Sequence, residues 1–209
     1  MVVDVQTRLR ARAMSAGLEI PDDLGRQLSA YYDLLQHWNR TINLTGLPDS
    51  DDAIVRLIIE PLVAARHLPQ EAHLMDLGSG GGSPAIPMAL GLRAQRLVMV
   101  EPRARKAAFL REAVRQLQLS WARIEQARVE DLAVWRAFQG EMTVISVRAV
   151  RLDSGILAAM MSFLKPGGFA AFFQTASTSP PEPIPGLSFV TEVPLLSGPH
   201  SRLQLWARA

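Results

Sequence analysis

The chain of 209 residues contains no cysteine, which excludes a disulfide framework, a thiolate metal site and covalent cysteine catalysis. Lysine is almost missing as well: of 22 basic residues only Lys106 and Lys165 are lysines, and arginine supplies the rest. Arginine forks onto phosphate and stacks on bases, so the bias fits a nucleic-acid partner, although a skewed genomic base composition would give the same count. No apolar run reaches the ~18 residues of a membrane span, and the N-terminus lacks the apolar core of a secretory signal. A cytoplasmic protein is expected. The four histidines, His37, His67, His73 and His200, are scattered without ligand spacing, so no metal is expected.

What is present begins with 48% hydrophobic residues, ample for the core of one sizeable α/β domain with a small appendage. The most informative stretch is Leu74-Met75-Asp76-Leu77-Gly78-Ser79-Gly80-Gly81-Gly82-Ser83-Pro84, which reads as a buried strand turning through glycines into a helix. Glycine allows positive φ and close approach of the backbone to a ligand, and a helix start offers free N–H groups to an anion. Two ligand classes compete for such a turn, a dinucleotide and S-adenosylmethionine. The dinucleotide fingerprint G-x-G-x-x-G needs a third glycine where Ser83 stands, whereas the D-x-G-x-G-x-G pattern led by Asp76 fits the methyltransferase loop better. Glu101 ends the next apolar strand, where either ligand would place its ribose hydroxyls. It supports nucleoside binding without choosing the nucleoside.

Two regions differ in pattern. Residues 1–70 hold helical signals: Leu24, Leu28, Tyr31, Leu35 and Trp38 recur at spacings of three and four behind Pro21-Asp22-Asp23. A turn follows at 43–48, and a second helix is predicted from Asp51 to about His67, with Pro61 as a kink. The basic segment 8–12 reads as a solvated helix face. Residues 71–209 alternate instead. Strands are predicted near 73–77, 96–101, 121–126, 142–147, 168–173, 187–193 and 202–207, with helices at 83–91, 103–118, 129–138 and 152–163. Alternating βα units imply a doubly wound, mostly parallel sheet that binds ligands at the carboxyl ends of its strands. The last two strands, joined by a short turn at Ser197-Gly198-Pro199, form an antiparallel hairpin on the sheet edge. Thr175 to Pro185 is read as a loop.

The hairpin and the turn Lys165-Pro166-Gly167-Gly168 resemble the class I, Rossmann-like methyltransferases. The resemblance sharpens with Trp38-Asn39-Arg40-Thr41-Ile42-Asn43-Leu44-Thr45, which is similar to the WNk-x-x-NLT element of the RsmG (GidB) family. The same order continues through Arg56, the loop at 76–84, Arg105-Lys106, Phe109-Leu110, Arg128-Val129-Glu130 and Ser146-Val147-Arg148-Ala149, covering about residues 20–173.

That family methylates N7 of a guanine in small-subunit ribosomal RNA with S-adenosylmethionine. The resemblance therefore implies a methyl donor, a ribosomal RNA or ribosomal subunit as partner, and a monomer with no metal. It gives Gly78, Gly80 and Ser83 to the donor's methionine side, Glu101 to its ribose, and Val129 and Glu130 to its adenine. Arg148 goes to the cofactor or the RNA, and is the candidate catalytic residue. The chain departs from the family at several positions. Arg56-Leu57-Ile58-Ile59-Glu60-Pro61 stands for Arg-His-x-x-Asp-Ser, Ser83 and Ala85 replace a large apolar residue and a glycine, Gln174 takes the place of a lysine, and Val147 separates Ser146 from Arg148. A methyltransferase of another RNA or of a small molecule, and a non-catalytic RNA-binding module using Arg8, Arg10, Arg12, Arg103, Arg105 and Arg111, are the alternatives.

Overall fold

The structure, a computed structural model, describes residues 4–132, 136–174, 183–198 and 201–209. Helix α1 (Val5–Ser15) is capped by the Asp4 carboxylate, which accepts from Thr7 N. Helix α2 (Asp22–Asn39) buries Leu28, Tyr31, Tyr32 and Leu35, the face that the three-and-four spacing foretells. Trp38 meets Phe109 edge-on with ring centroids 5.8 Å apart. The Asn39 carboxamide then accepts from Leu44 N at 2.8 Å and Thr45 N at 3.0 Å, folding the following loop back on the helix.

The second helical segment is not one kinked helix. It runs as α3 (Asp51–Ile54), a π-helical turn (Val55–Ile59) and α4 (Glu60–Ala65). Glu60 N donates five residues back, to Val55 O. Pro61 has no N–H, so it donates neither to Leu57 O in the α register nor to Arg56 O in the π register.

Seven strands form one sheet: β1 (His73–Leu77), β2 (Arg96–Val100), β3 (Ala122–Glu125), β4 (Met142–Arg148), β5 (Leu164–Gln174), β6 (Leu187–Pro194) and β7 (Arg202–Arg208). The order is β3-β2-β1-β4-β5-β7-β6. All pairs are parallel except those made by β7, which runs antiparallel to β5 and β6, as the hairpin reading expects. The order reverses between β1 and β4, and the carboxyl ends of those two strands flank the crevice where such sheets bind ligands.

Helices α5 (Ala85–Gly91), α6 (Ala104–Gln116), α7 (Val129–Leu132) and α8 (Ser154–Phe163) cross between the strands. One hydrophobic cluster joins α1–α4, α5 and α6 to one sheet face through Leu74, Leu97 and Val144. A second cluster packs α7 and α8 on the other face, against Met75, Val98 and Ile145.

Most element ends lie within two residues of the sequence reading, and three differences have a visible cause. Helix α5 begins at Ala85 and not at 83, because Ser83 precedes a proline, which disfavours the α region, and its hydroxyl is bonded elsewhere. The helix expected at 129–138 is α7 followed by a 3-10 turn (Arg136–Phe138), with 133–135 outside the described residues. Strand β5 starts at Leu164, four residues early, because Leu164 pairs with Met142 before the register shifts between Met142 and Val144. Most of the loop read at 175–185 also lies outside the described residues.

Tyr31 ties the helical layer to the glycine turn. Its buried hydroxyl donates to Gly81 O at 2.6 Å, and burial drives the phenol's pKa far up, so it stays a neutral donor. Tyr31→Phe should leave that carbonyl without this donor, at about 1–3 kcal/mol. A thermal midpoint several degrees lower, with unchanged far-UV circular dichroism, is the expected outcome.

Candidate functional site

The turn after β1 is built by main-chain bonds. Gly78 N and Ser79 N both donate to Val100 O, at 2.9 and 3.0 Å, and Gly82 N donates to Ser79 O at 2.7 Å. Gly78 adopts φ +76°, and a Cβ there would lie 2.5 Å from Val150 Cγ2, so only glycine fits. Gly82 is constrained in the same way, at φ +82° with Ile86 Cδ1 2.9 Å from where a Cβ would be. Beneath the turn, the buried Asp76 carboxylate accepts from Ser146 Oγ at 2.5 Å. Burial raises the pKa of Asp76, against the lowering by Ser146 and Ser79.

Above the turn lies a cavity of about 810 Å³. The sequence-predicted residues Gly78, Gly80, Ser83, Glu101, Val129, Glu130 and Arg148 all line it. Glu101 sits just past the end of β2, almost fully buried at 5% exposure. Its Oε2 accepts from Gly80 N at 2.9 Å and its Oε1 from Arg103 N at 2.8 Å. Each carboxylate oxygen has a second lone pair, so acceptor capacity toward the cavity is left. The closed glycine turn, the buried acid beside it and the apolar side chain of Val129 fit a nucleoside carrying a short polar tail.

Arg148, the last residue of β4, reaches under the turn. Its guanidinium donates to Arg56 O at 2.9 Å and to Ser83 Oγ, and stands 5.6 Å from the centroid of Phe173. Ser83 Oγ in turn donates to Leu57 O at 2.6 Å. The two carbonyls that Pro61 leaves free are therefore taken by Arg148 and Ser83. No carboxylate forms a salt bridge with Arg148 among the described residues. Burial first, and the neighbouring Arg56 second, push its pKa down to about 10, so it is still a cation at neutral pH.

Arg56, Leu57, Arg103 and Lys106 also line the cavity, although the family resemblance assigns Arg56 no role of its own. Arg56 donates to Ser197 Oγ at 2.7 Å and lies 3.8 Å from Glu60 Oε2. Glu60 is only 1% exposed, and its Oε1 accepts from Ser197 N at 2.7 Å and Ser201 Oγ at 2.9 Å. The connection between β6 and β7 is thus pinned to the helix that carries Arg56. Gln174 ends β5 buried, with its amide nitrogen unpartnered among the described residues, and is not among the residues lining the cavity. Counted by charge, the lining holds the cations Arg56, Arg103, Lys106, Arg128 and Arg148 against the carboxylates Glu101 and Glu130.

The N-terminal arginines behave otherwise. Arg8 pairs with Asp49 and Asp51, Arg10 with Asp22, and Arg12 with Asp51. Arg111 donates to Gln126. A phosphate-tracking face made of Arg8, Arg10, Arg12, Arg103, Arg105 and Arg111 is therefore not what the chain builds, since three of its members are already neutralised. No group of three or more His, Asp or Glu able to hold a metal ion occurs among the described residues, and no described helix is long and apolar enough to cross a membrane.

Strand order, glycine turn and buried acid after β2 together define a class I S-adenosylmethionine-dependent methyltransferase. Solved structures agree on the fold: TYW2 of P. horikoshii in complex with MeSAdo aligns over 98% of each chain with a TM-score of 0.57 at 12% identity. A SAM-dependent methyltransferase from Aquifex aeolicus gives 0.56 at 12% identity, over 76% of this chain and 93% of its own.

Within that class, the chain belongs to the GidB family, rRNA small subunit methyltransferase G, whose model matches residues 25–179. Ribosomal RNA small subunit methyltransferase G of Neisseria meningitidis is 35% identical over 164 residues, 78% of this chain and 77% of the relative. The protein of the same name from Xanthomonas axonopodis pv. citri is 34% identical over 160 residues, 77% of this chain and 70% of the relative.

A desolvated cation beside a second arginine costs folding energy, whereas the same cation facing a ligand serves binding. In Arg148→Ala the released desolvation offsets the lost bonds to Arg56 O and Ser83 Oγ, so the thermal midpoint should stay within a few degrees while methyl transfer falls by a factor of at least about a hundred, the scale of one lost electrostatic stabiliser. A collapse in stability would make Arg148 a structural member.

Proposed function

We propose that this chain transfers a methyl group from S-adenosylmethionine to N7 of a guanine in small-subunit ribosomal RNA. Family membership, with relatives named for that RNA, and the cavity at the switch point of the sheet support the reading. The observation that carries it is the buried Glu101 carboxylate, joined to both Gly80 N and Arg103 N and still able to accept from a ribose. In this reading residues 1–70 form a helical cap over a cofactor-binding domain of residues 71–209, and the protein works in the cytoplasm as a monomer.

Bound there, S-adenosylmethionine supplies an electrophilic methyl on a sulfonium. Glu101 would accept hydrogen bonds from the ribose hydroxyls, Val129 and Glu130 would flank the adenine, and Gly78, Gly80 and Ser83 would border the methionine end. Arg148, held by Arg56 O and Ser83 Oγ, presents its remaining N–H groups to the oxygen that enters last, the cofactor's carboxylate or the guanine's O6. N7 of guanine carries an in-plane lone pair, so no proton has to be removed before attack and no general base is required. Alignment and electrostatics then supply the rate. The loop Ser146-Val147-Arg148-Ala149 lacks the Asn/Asp-Pro-Pro-Tyr/Phe of exocyclic-amine methyltransferases, which agrees with a ring-nitrogen target.

Two measurements test this. Glu101→Ala should weaken S-adenosylhomocysteine by about tenfold or more, from a lost charge-assisted contact of about 1.5–3 kcal/mol. Because Glu101 also holds the glycine turn, the 2′-deoxy analogue is the discriminating ligand: the wild type should bind it more weakly than the parent, and the variant should not distinguish the two. In cells, mass spectrometry of small-subunit RNA from a deletion strain should lack one 7-methylguanosine that the parent strain carries. An unaltered RNA, with the protein expressed in the parent, would overturn the substrate.

A further inference from the structure

Beside the cofactor cavity runs a second cleft of about 640 Å³, between the loop after α2 and the start of α6. Asn43 and Thr45 stand on one wall and Arg103, Arg105 and Lys106 on the other, and no carboxylate lines it. The two spaces are continuous in their walls: Leu44, Thr45, Gly46, Arg103 and Lys106 line both. Unlike Arg8, Arg10 and Arg12, the three cations here form no salt bridge with a carboxylate among the described residues, and Arg103 and Arg105 are exposed. The loop wall is tied to the end of α2 by Asn39, whose carboxamide accepts from Leu44 N and Thr45 N.

We propose that this cleft seats backbone phosphates of single-stranded RNA next to the target guanosine, with Arg103, Arg105 and Lys106 as the phosphate ligands. The inference rests on the ribosomal RNA reading above. A-form duplex RNA hides N7 in a deep, narrow major groove, so a base methylated there must be unpaired or turned out of its stack. The nucleotide that enters the cavity then leaves its neighbours' phosphates at the rim, where the cleft offers three unpaired cations. Asn43 and Thr45 face them as neutral hydrogen-bonding groups able to bond sugar or base edges.

The test compares two variants that each remove one arginine charge from α6. Arg105→Ala removes a cleft cation that does not line the cofactor cavity. Arg115→Ala removes one from the last turn of the same helix, where it is paired with Glu112. Binding of a single-stranded oligouridylate is followed by fluorescence anisotropy across a salt series, and methylation of small ribosomal subunits by transfer of a labelled methyl group.

The expected result is that Arg105→Ala lowers the slope of log affinity against log salt by about 0.7, the share of one phosphate on a single strand. RNA affinity should fall several-fold, with S-adenosylhomocysteine affinity unchanged, while Arg115→Ala matches the wild type in all three. Equal losses in both variants would mean a diffuse field effect and overturn the cleft. So would an unchanged Arg105→Ala, or binding of polyaspartate as tight as that of the RNA. Those outcomes leave the methyltransferase reading intact if the wild type still methylates the subunit. A wild type that binds the cofactor but methylates no subunit RNA would remove that reading, and this proposal with it.

Discussion

Pro61 carries no amide hydrogen, and the main chain before it has slipped into a π turn, so the carbonyls of Arg56 and Leu57 are left to bond with something other than their own helix. Arg148 and Ser83 come from the far side of the crevice to take them. Three segments distant in sequence are thereby fixed against one another: the helical segment 51–65, the glycine turn and the end of β4. An isolated guanidinium at this depth would be free to swing. Clamped by a carbonyl and a hydroxyl, with Phe173 alongside, it keeps its direction, while Glu60, Tyr31 and Asp76 oppose the lowering of its pKa by burial and by Arg56. Glu60 extends the same clamp outward, because its buried carboxylate holds Ser197 and Ser201 of the β6–β7 connection beside Arg56.

Charge is sorted by the fold. Arginines near the N-terminus are consumed in ion pairs with Asp22, Asp49 and Asp51, which fasten α1 to α2 and to the start of α3. Exposed pairs of this kind contribute little stability each, about 0–1 kcal/mol, so their main effect is to cancel positive potential on that face. Where the cavity and the adjoining cleft meet, Arg103, Arg105 and Lys106 form no salt bridge among the described residues. A small net charge of +2 therefore conceals a local excess at the site, and a polyanion is drawn toward that edge of the sheet.

Most of the framework was legible in the sequence because its causes are local. Period-two and period-three-to-four patterns locate strands and helices, a glycine with an intolerable Cβ marks the turn, and an acid after the second strand marks a wall of the cavity. All seven predicted site residues line one cavity for that reason. What could not be read depends on partners far along the chain. Glu60 meets Ser197 and Ser201 across 137 and 141 residues, and nothing in Arg56-Leu57-Ile58-Ile59-Glu60-Pro61 announces a hairpin 140 residues on. The arginines at 8–12 carry the same letters as those at 103–105, and only the positions of Asp22, Asp49 and Asp51 separate paired from free. Pro61 did signal an irregularity, but a kink and a π turn have the same sequence signature and different consequences for the carbonyls.

The departures from the family pattern are also clarified by the main chain. Leu57 and Pro61, where the family pattern has polar side chains, take side-chain hydrogen-bonding groups away from the site. The proline restores what the leucine loses: it disables a backbone donor, and the exposed carbonyls of residues 56 and 57 supply acceptors whose position depends on the helix alone and not on a rotamer. Main-chain acceptors of this kind cannot titrate. A methyl transfer that requires no general base has no use for a titrating group there either, since its demand is for a donor and an acceptor held in line. Arg148 is thus held through main-chain acceptors of residues 56 and 57, directly and by way of Ser83, on a segment separate from the cations Arg103, Arg105 and Lys106 of the adjoining cleft.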